Sequence, residues 1–433
     1  MTTFLQDYLR AIRLFSRDVW MYLLTAALFG ISYFGFVTVL LNLYLVRLGY
    51  DTAFIGLVNG STALAFALSS VPSGAAGARW GYRRAAVAGV ILVGLGALCL
   101  PIAEFLPTAG QSAGILVARL ASGVGFALYF VNTNPYLVSA TEPRERTYVF
   151  SMQTGILPMA GFLGNLIAGV LPGIIGAALN LPVETHPAPF RYALMLGGLI
   201  LLPGAFILLN TSEATRDDST ATDKTTPLPL KATPYLLIFF LAITGLLRMA
   251  GEGAARTFFN VYLDVGLGVS VEGIGLLLAF GQIVAGPAAF IAPMLAARAG
   301  KISAIVVSTL ATAISLVIMA LVPNWFVVSI GFMGVIGMRA ITQSVVNVVQ
   351  MEIVPVANRG TTSGLVSMAM GTGFTSIALG GGYLVPIIDF PGVFFIAAGM
   401  VTVSSLIFWL YFRHPRGEYA IAVEEPRPAI AKS

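Results

Sequence analysis

The order of apolar and polar residues divides the chain into long apolar runs separated by short polar breaks. Residues 20–46 and 85–103, for example, contain no Asp, Glu, Lys or Arg. A helix needs about 20 apolar residues to cross a hydrocarbon core of roughly 30 Å, because it rises about 1.5 Å per residue. The runs are continuous rather than alternating, which argues against a transmembrane β-barrel. Cutting at charge clusters and at Gly, Pro and Asn turns predicts twelve spanning helices, at residues 20–47, 53–76, 85–106, 112–140, 147–178, 191–210, 234–264, 271–297, 302–322, 325–353, 361–388 and 392–413.

The composition agrees with an integral membrane protein. Of 433 residues, 57% are hydrophobic and 10% are charged, whereas soluble proteins are about a quarter charged. The sequence pI of 9.3 raises the question of nucleic-acid binding. The basic residues are nevertheless placed as topology signals, so we expect a lipid bilayer as the environment and no nucleic-acid partner.

The basic residues also orient the chain. Only Arg47 and Arg191 fall on one side of the predicted helices, and 18 of the 24 Lys and Arg fall on the other side. The positive-inside rule therefore places both termini in the cytoplasm. We expect a multi-pass protein of a bacterial-type plasma (inner) membrane.

A polar segment rich in Thr, Asp and Pro separates the sixth predicted helix from the seventh. This composition is typical of a flexible linker, and the segment divides the chain into similar halves. The predicted parts are a cytoplasmic N-terminal segment (1–19), a six-helix bundle (20–210), the linker (211–233), a second six-helix bundle (234–413) and a cytoplasmic tail (414–433).

The two halves resemble each other in sequence. Residues 42–57 align with 260–276 with a one-residue gap, and 72–82 align with 292–301. The second alignment pairs Arg79 with Arg298 and Gly81 with Gly300. Internal repeats of this kind are typical of secondary transporters.

The loop between the second and third predicted helices carries a recognisable pattern. It has Gly74, three residues, Ala78, Arg79, Trp80, Gly81 and then Tyr82, Arg83 and Arg84. This resembles the loop of the major facilitator superfamily, which has Gly, three residues, Asp, Arg, any residue, Gly and basic residues. Ala78 replaces the Asp and Tyr82 replaces the first basic residue.

The resemblance extends over essentially the whole chain. It implies an all-α integral membrane fold of twelve transmembrane helices in two pseudo-symmetric six-helix bundles. In the family this loop latches the bundles together on the cytoplasmic side. The resemblance therefore implies a cytoplasmic gate, and the alternative is that its arginines are only topology signals. The gate candidates are Gly74, Arg79, Gly81, Arg83, Arg84, Arg298 and Gly300.

Two further patterns bear on the direction of transport. Arg119, Gly123 and Gly125 resemble the family's Arg-x-x-x-Gly-x-Gly pattern, which is associated with proton-coupled exporters. The alternative for Arg119 is a side chain that extends to the membrane surface. The fifth predicted helix is rich in glycine, but it lacks the Gly-Pro pair of the antiporter motif, so a helix-packing seam is favoured there.

Charged residues inside the seventh predicted helix are the main candidates for function. Arg248, Glu252 and Arg256 follow one another at four-residue steps, which predicts that they share one helix face, and Asn260 continues the row. Charges at membrane depth are expensive and usually functional. By the resemblance, the first, fourth, seventh and tenth helices line a central cavity. The cavity candidates are Tyr33, Asn42, Asn132, Asn134, Arg248, Arg256, Asn260, Arg339, Gln343 and Asn347.

Glu252 is the one carboxylate expected near mid-membrane. Burial disfavours its charged form and the flanking arginines favour it. We therefore predict that Glu252 couples transport to protons, with Arg119 assisting. The alternatives are a static Arg248–Glu252–Arg256 ion pair and a direct contact with substrate.

Arginines outnumber this carboxylate in the predicted cavity, which favours a substrate with an anionic group. We expect a monomeric, proton-coupled transporter that works by alternating access. The patterns favour export of a small anionic or amphiphilic compound. The alternative is an uptake symporter or facilitator for an organic acid or a sugar.

Other functional classes fit less well. His186 and His414 are the only histidines and Cys99 is the only cysteine, so no metal site, cofactor or enzymatic activity is expected. A channel would require a continuous polar pore. A receptor derived from a transporter is a further alternative.

Overall fold

A computed structural model describes residues 15–142, 145–212, 235–354 and 359–413. The tail predicted at 414–433, the first fourteen residues and nearly all of the linker predicted at 211–233 lie outside the described residues. So does Arg144 in the loop between the fourth and fifth helices.

The described chain is helical, and its helices match the twelve predicted segments. They are α1 Arg17–Arg47, α2 Thr52–Trp80, α3 Tyr82–Ile102, α4 Thr108–Ala140, α5 Arg146–Leu179, α6 Ala188–Leu209, α7 Tyr235–Val261, α8 Val271–Ala299, α9 Lys301–Leu321 and α10 Trp325–Ile353. The last helical segment, Arg359–Phe412, contains two spans.

Asp389 divides this last segment. Its backbone lies at φ 58° and ψ 175°, which no helical residue adopts, so the chain reverses there. A continuous helix of this length would be more than twice as long as the hydrocarbon core of a bilayer is thick. We therefore describe residues 359–388 as α11 and 390–412 as α12.

Polar residues begin the helices where the sequence breaks the apolar runs. The side chains of Ser16, Asp51, Ser270 and Asn324 accept hydrogen bonds from the first-turn amides of α1, α2, α8 and α10. Such caps satisfy amides that have no partner inside the helix. The cap at Ser16 explains why α1 begins three residues before the predicted start.

The alternating helices define two ends of the molecule. The α2–α3 and α8–α9 turns lie at one end, which we call the basic end because it carries Arg79, Arg83, Arg84, Arg298 and Lys301. The α1–α2 and α7–α8 turns lie at the opposite end.

The first six and the last six helices contact each other towards this opposite end. Thr52 Oγ1 on α2 donates to Gly382 O on α11 at 2.9 Å, and Thr375 Oγ1 on α11 donates to Gly60 O on α2 at 3.1 Å. The guanidinium of Arg47 on α1 pairs with Asp264 after α7. We therefore call this end the closed end.

Glycines permit the close approach of helices at the closed end. A Cβ atom placed on Gly56 would lie 2.0 Å from Ala378 O on α11, and one on Gly275 would lie 2.6 Å from the Cα of Gly169 on α5. Gly56 and Gly275 align in the sequence repeat. The α2–α11 and α5–α8 contacts are thus equivalent features of the two halves, as expected of small-residue helix interfaces.

Candidate functional site

A cavity of about 320 Å³ lies between the two halves at mid-depth, below the closed end. Its volume is at the lower end of the range for small-molecule pockets, roughly 300–1,000 Å³. Residues from α1, α2, α4, α7 and α11 line it. Most of its walls are aromatic or apolar, contributed by Tyr33, Phe34, Val37, Leu41, Ala63, Phe66, Phe126, Met249, Met370 and Phe374.

A π-helical segment shapes the α1 wall of this cavity. It covers Gly30–Val37, and Thr38 Oγ1 donates to Tyr33 O, five residues back, at 3.1 Å. The wider turn shifts the helix face, so that Tyr33 and Thr38 both reach the cavity. Such π turns occur frequently at functional sites.

Two arginines face the cavity from opposite halves. Arg119 on α4 is only 5% exposed, and its guanidinium lies 6.0 Å from the centre of the Tyr33 ring. Arg256 on α7 also lines the cavity and is exposed within it. Neither forms an ion pair with a carboxylate among the described residues, whose ion pairs involve Arg47, Arg191, Arg248, Lys301 and Arg339.

Glu252 forms a separate cluster with two other arginines. Its Oε2 lies 3.1 Å from Arg339 Nε on α10, and its Oε1 lies 4.0 Å from Arg248 Nε on α7. Arg248 also donates to Gln343 Oε1 on α10 at 3.4 Å. Glu252 and Arg248 are 1% and 6% exposed, whereas a third of the Arg339 side chain is exposed. Two arginines therefore meet one buried carboxylate, which leaves one positive charge in excess.

The four-residue row on α7 therefore does not stay on one face. An ideal helix has 3.6 residues per turn, so each four-residue step overshoots a full turn by about 40°. Arg248 and Glu252 point towards α10, Arg256 reaches the cavity and Asn260 points towards α1. The ion pair considered from the sequence, Arg248–Glu252–Arg256, is replaced by Arg248–Glu252–Arg339.

Three asparagines form a hydrogen-bonded cluster, and two of them, Asn42 and Asn59, line the cavity. Asn59 Nδ2 on α2 donates to Asn42 Oδ1 on α1 at 2.8 Å. Asn42 Nδ2 in turn donates to Asn260 Oδ1 on α7 at 3.1 Å. We call Asn42, Asn59 and Asn260 the asparagine cluster. It joins the two halves, and on α7 Asn260 lies four residues closer to the closed end than the cavity residue Arg256.

Other predicted cavity residues lie elsewhere. Asn132 on α4 is fully buried and donates to Ser73 O on α2 at 3.0 Å, so it joins two helices of the same half. Asn134 is exposed on α4. Gln343 donates to Asn347 Oδ1 on α10 at 2.7 Å, towards the basic end from the Glu252 cluster.

The sequence interpretation missed Asn59, Thr62 and Ser367, which contribute polar groups to the cavity. Asn59 carried a usable signal, because it is an amide in the middle of an apolar span. Among the aromatic cavity residues, Tyr33 was predicted. The phenylalanines carried no signal, because nothing in the sequence distinguishes a phenylalanine that lines a cavity from one that faces lipid.

At the basic end, the two repeated turns have the same backbone form. Gly81 has φ 101° and Gly300 has φ 82°, values at which a side chain is strained. Arg83 donates to carbonyl oxygens of Leu209 and Thr211, all within the first half. The remaining predicted gate residues lie close by, with Gly74 half-buried and Arg79, Arg84 and Arg298 exposed.

Comparison with known proteins identifies the family. The sequence profile described as Major Facilitator Superfamily matches residues 22–247 and 241–432, one match for each half. The chain belongs to this superfamily. It is therefore a membrane transporter with the superfamily's fold of two six-helix bundles, as the sequence resemblance implied.

Solved structures of superfamily transporters have the same fold. A D-xylose–proton symporter is 15% identical, with a TM-score of 0.73, and the match covers 93% of this chain and 97% of that one. A bacterial homologue of the human lysosomal transporter Spinster, inward-facing and occupied, is 15% identical with a TM-score of 0.69, covering 94% and 96%. A nucleoside transporter is 17% identical with a TM-score of 0.68, covering 92% and 98%.

None of the curated proteins compared with the chain matches it. At these identities the solved structures establish the fold alone. The arrangement of this transporter's own charged residues must therefore carry any argument about its substrate.

Proposed function

We propose that the protein is a proton-coupled secondary transporter that takes up an anionic, amphiphilic organic compound by alternating access. The basic end is its cytoplasmic face, and the protein acts as a monomer in a bacterial-type plasma membrane. The observation that carries the substrate class is the pair of cavity arginines, Arg119 and Arg256, that have no carboxylate partner among the described residues.

Electrostatics supports an anionic substrate. A buried cation is costly unless an opposite charge offsets it, and Arg119 is only 5% exposed. A carboxylate, phosphate or sulfonate bound by Arg119 or Arg256 would supply that charge through charge-assisted hydrogen bonds. The aromatic and methionine walls would bind the apolar body of the same molecule, which is why we propose an amphiphile rather than a small inorganic anion.

The Glu252 cluster supports coupling to protons. Among the described residues, Glu252 is the carboxylate that pairs with Arg248 and Arg339. Its protonation would remove that negative charge, and the excess positive charge beside the cavity would rise by one. An anion would then bind more tightly. Linkage is reciprocal, so the bound anion would favour protonation of Glu252 to the same extent.

This linkage favours symport. A proton and an anion that strengthen each other's binding travel in the same direction, whereas an antiporter requires that each weakens the binding of the other. The proton gradient across a plasma membrane drives symport inwards. One proton carried with each monoanion would make the cycle electroneutral.

Export by proton antiport is the second candidate, favoured by the Arg119–Gly123–Gly125 pattern. The packing supplies another role for its glycines, however. A Cβ on Gly123 would lie 2.5 Å from Thr62 O on α2, and one on Gly125 would lie 2.8 Å from Gly89 O on α3. Only Arg119 then remains as support for export.

The experiment is accumulation of labelled compounds by liposomes that contain the purified full chain. Anionic, neutral and cationic amphiphiles of matched size are offered with the liposome interior alkaline or acidic. Uphill accumulation of the anion only with an alkaline interior supports symport. Accumulation only with an acidic interior indicates antiport, and preference for a permanent cation overturns the proposal.

A further inference from the structure

Asn42 and Asn260 occupy corresponding positions in the two halves. Each begins a similar stretch, Asn42-Leu43-Tyr44-Leu45 in α1 and Asn260-Val261-Tyr262-Leu263 at the end of α7. The equivalence continues in the turns that follow. Gly49 and Gly268 have φ values of 84° and 64°, and Asp51 and Ser270 both cap the next helix.

The two asparagines bind each other's helix reciprocally. Asn42 Nδ2 donates to Thr257 O at 2.8 Å, and Asn260 Nδ2 donates to Val39 O at 3.4 Å and to Thr38 O at 3.2 Å. Thr257 precedes Asn260 by three residues, as Val39 precedes Asn42. Each amide therefore reaches the equivalent carbonyl of the opposite helix, as two-fold related groups on an axis would.

These bonds lie in a buried part of the interface. Asn42 and Asn260 are 4% and 3% exposed. A buried amide without a hydrogen-bond partner is costly, so the contact is strong only while both partners are present. Because α1 and α7 belong to different halves, the reciprocal bonds can form only while the closed end is closed.

Asn59 connects this contact to the cavity. Its Nδ2 donates to Asn42 Oδ1 at 2.8 Å and to Ile55 O at 2.9 Å, both within the first half. Asn59 and Asn42 both line the cavity. Asn59 thus orients the Asn42 amide so that its Nδ2 faces the second half.

We propose that the asparagine cluster is the gate of the closed end. Asn42 and Asn260 form a reciprocal amide lock between the halves, and Asn59 is the positioning residue that keeps the Asn42 amide turned towards its partner. The lock does not depend on the substrate class. The test of the lock can therefore fail without contradicting the proposed function, and the reverse also holds.

The test is a distance measurement across the closed end in the full chain in liposomes. Cys99 is replaced by serine, and spin labels are attached to Thr185→Cys in the α5–α6 loop and Pro323→Cys in the α9–α10 loop, both exposed positions. Pulsed electron–electron double resonance then reports the populations with the closed end shut and open.

Asn42→Ala and Asn260→Ala are each expected to lower the ratio of shut to open molecules about tenfold, because each removes hydrogen bonds between the halves. The double variant is expected to lower it little further, since either substitution already breaks the reciprocal pair. Asn59→Leu is expected to lower the ratio by a smaller factor, although both hydrogen bonds of Asn59 lie within the first half.

Asn132→Ala is the matched control. Asn132 is as buried as the lock residues, and its amide joins α4 to α2 within the first half. It is expected to lower thermal stability without changing the distance distribution. Unchanged distributions in Asn42→Ala and Asn260→Ala, or an equal change in Asn132→Ala, would overturn the lock. Asn42→Asp has nearly the same shape and replaces the donor by an acceptor, so it serves if an alanine variant fails to fold.

Discussion

Arg47 and Asp264, 217 residues apart, form a bidentate ion pair across the two halves of the transporter. The guanidinium Nη1 and Nη2 atoms lie 2.6 and 2.7 Å from the carboxylate oxygens, and Arg47 Nε also donates to Val183 O at 3.2 Å. The two side chains are 10% and 8% exposed. The pair lies one helical turn or more beyond the asparagine cluster, so two successive polar contacts join the first half to the second along α1 and the end of α7.

Breaking this ion pair should therefore open the closed end. Arg47→Gln or Asp264→Asn is expected to cost the shut state about 1.5–3 kcal/mol, the usual range for hydrogen bonds to charged groups. The spin-label pair at residues 185 and 323 measures the change. The exchange Arg47→Asp with Asp264→Arg should restore part of it, and not all, because the bond to Val183 O is lost. No opening in either single variant would contradict this role.

The close helix contacts at glycines predict that one added methyl group changes the population in which the closed end is open. Gly275→Ala places a Cβ 2.8 Å from Asn165 O and 2.6 Å from the Cα of Gly169, so α8 cannot approach α5 and the open population should rise. Gly286→Ala on the same helix is the control, since no atom lies within 4 Å of its Cβ position. It should change the distance distribution little and gain up to about 1 kcal/mol of helix stability. Equal effects of the two substitutions would refute the steric account.

The reversal between α11 and α12 predicts a stabilising substitution. Asp389 occupies φ 58° and ψ 175°, a region that is essentially restricted to glycine and costs other residues about 1–3 kcal/mol. Asp389→Gly should therefore raise the apparent melting temperature of the detergent-solubilised protein. Asp389→Asn removes the charge but keeps the strained backbone, and it should leave the melting temperature unchanged. A rise with Asn as large as with Gly would assign the effect to charge.

Substitutions in the Glu252 cluster distinguish a role of Glu252 in proton coupling from a purely structural role. Glu252→Gln should abolish proton-driven accumulation but retain exchange of labelled for unlabelled substrate, which requires no net proton movement. The double variant Glu252→Gln with Arg339→Gln removes both charges of the closest pair. If Glu252 carries the proton, coupling stays absent in the double variant. Recovery of proton-driven accumulation there would show that Glu252 serves only to neutralise Arg339.

The helices were predictable because membrane thickness limits their length. Long apolar runs and the breaks between them placed the ends of the helices within about four residues, and the two spans of Arg359–Phe412 were separated at the correct turn. The turns that the basic residues marked also contain residues that align in the internal repeat. Gly81 and Gly300, paired in sequence, share a positive φ in the structure.

The partners of the charged residues were not predictable from spacing on one helix. The four-residue spacing predicts one face for the row from Arg248 to Asn260, but the drift of about 40° per step distributes it among α10, the cavity and α1. Arg339 pairs with Glu252 from another helix. The resemblance placed both helices at the cavity, but the sequence does not specify which side chain of a facing helix is the partner. Asn132 shows the same limit, because its polarity indicated the cavity although it joins α4 to α2.

A matched pair of compounds tests whether Arg119 and Arg256 bind the anionic group of the substrate. The transported carboxylate and its primary amide have nearly the same shape, so the ratio of their transport efficiencies measures what the charge contributes. Wild-type protein should prefer the carboxylate. Arg256→Gln or Arg119→Gln should reduce that preference about 10- to 100-fold, the loss expected for one charge-assisted contact, while Arg298→Gln at the exposed basic end should leave it intact. Equal transport of carboxylate and amide by the wild type, or a preference that survives both cavity substitutions, would contradict the account.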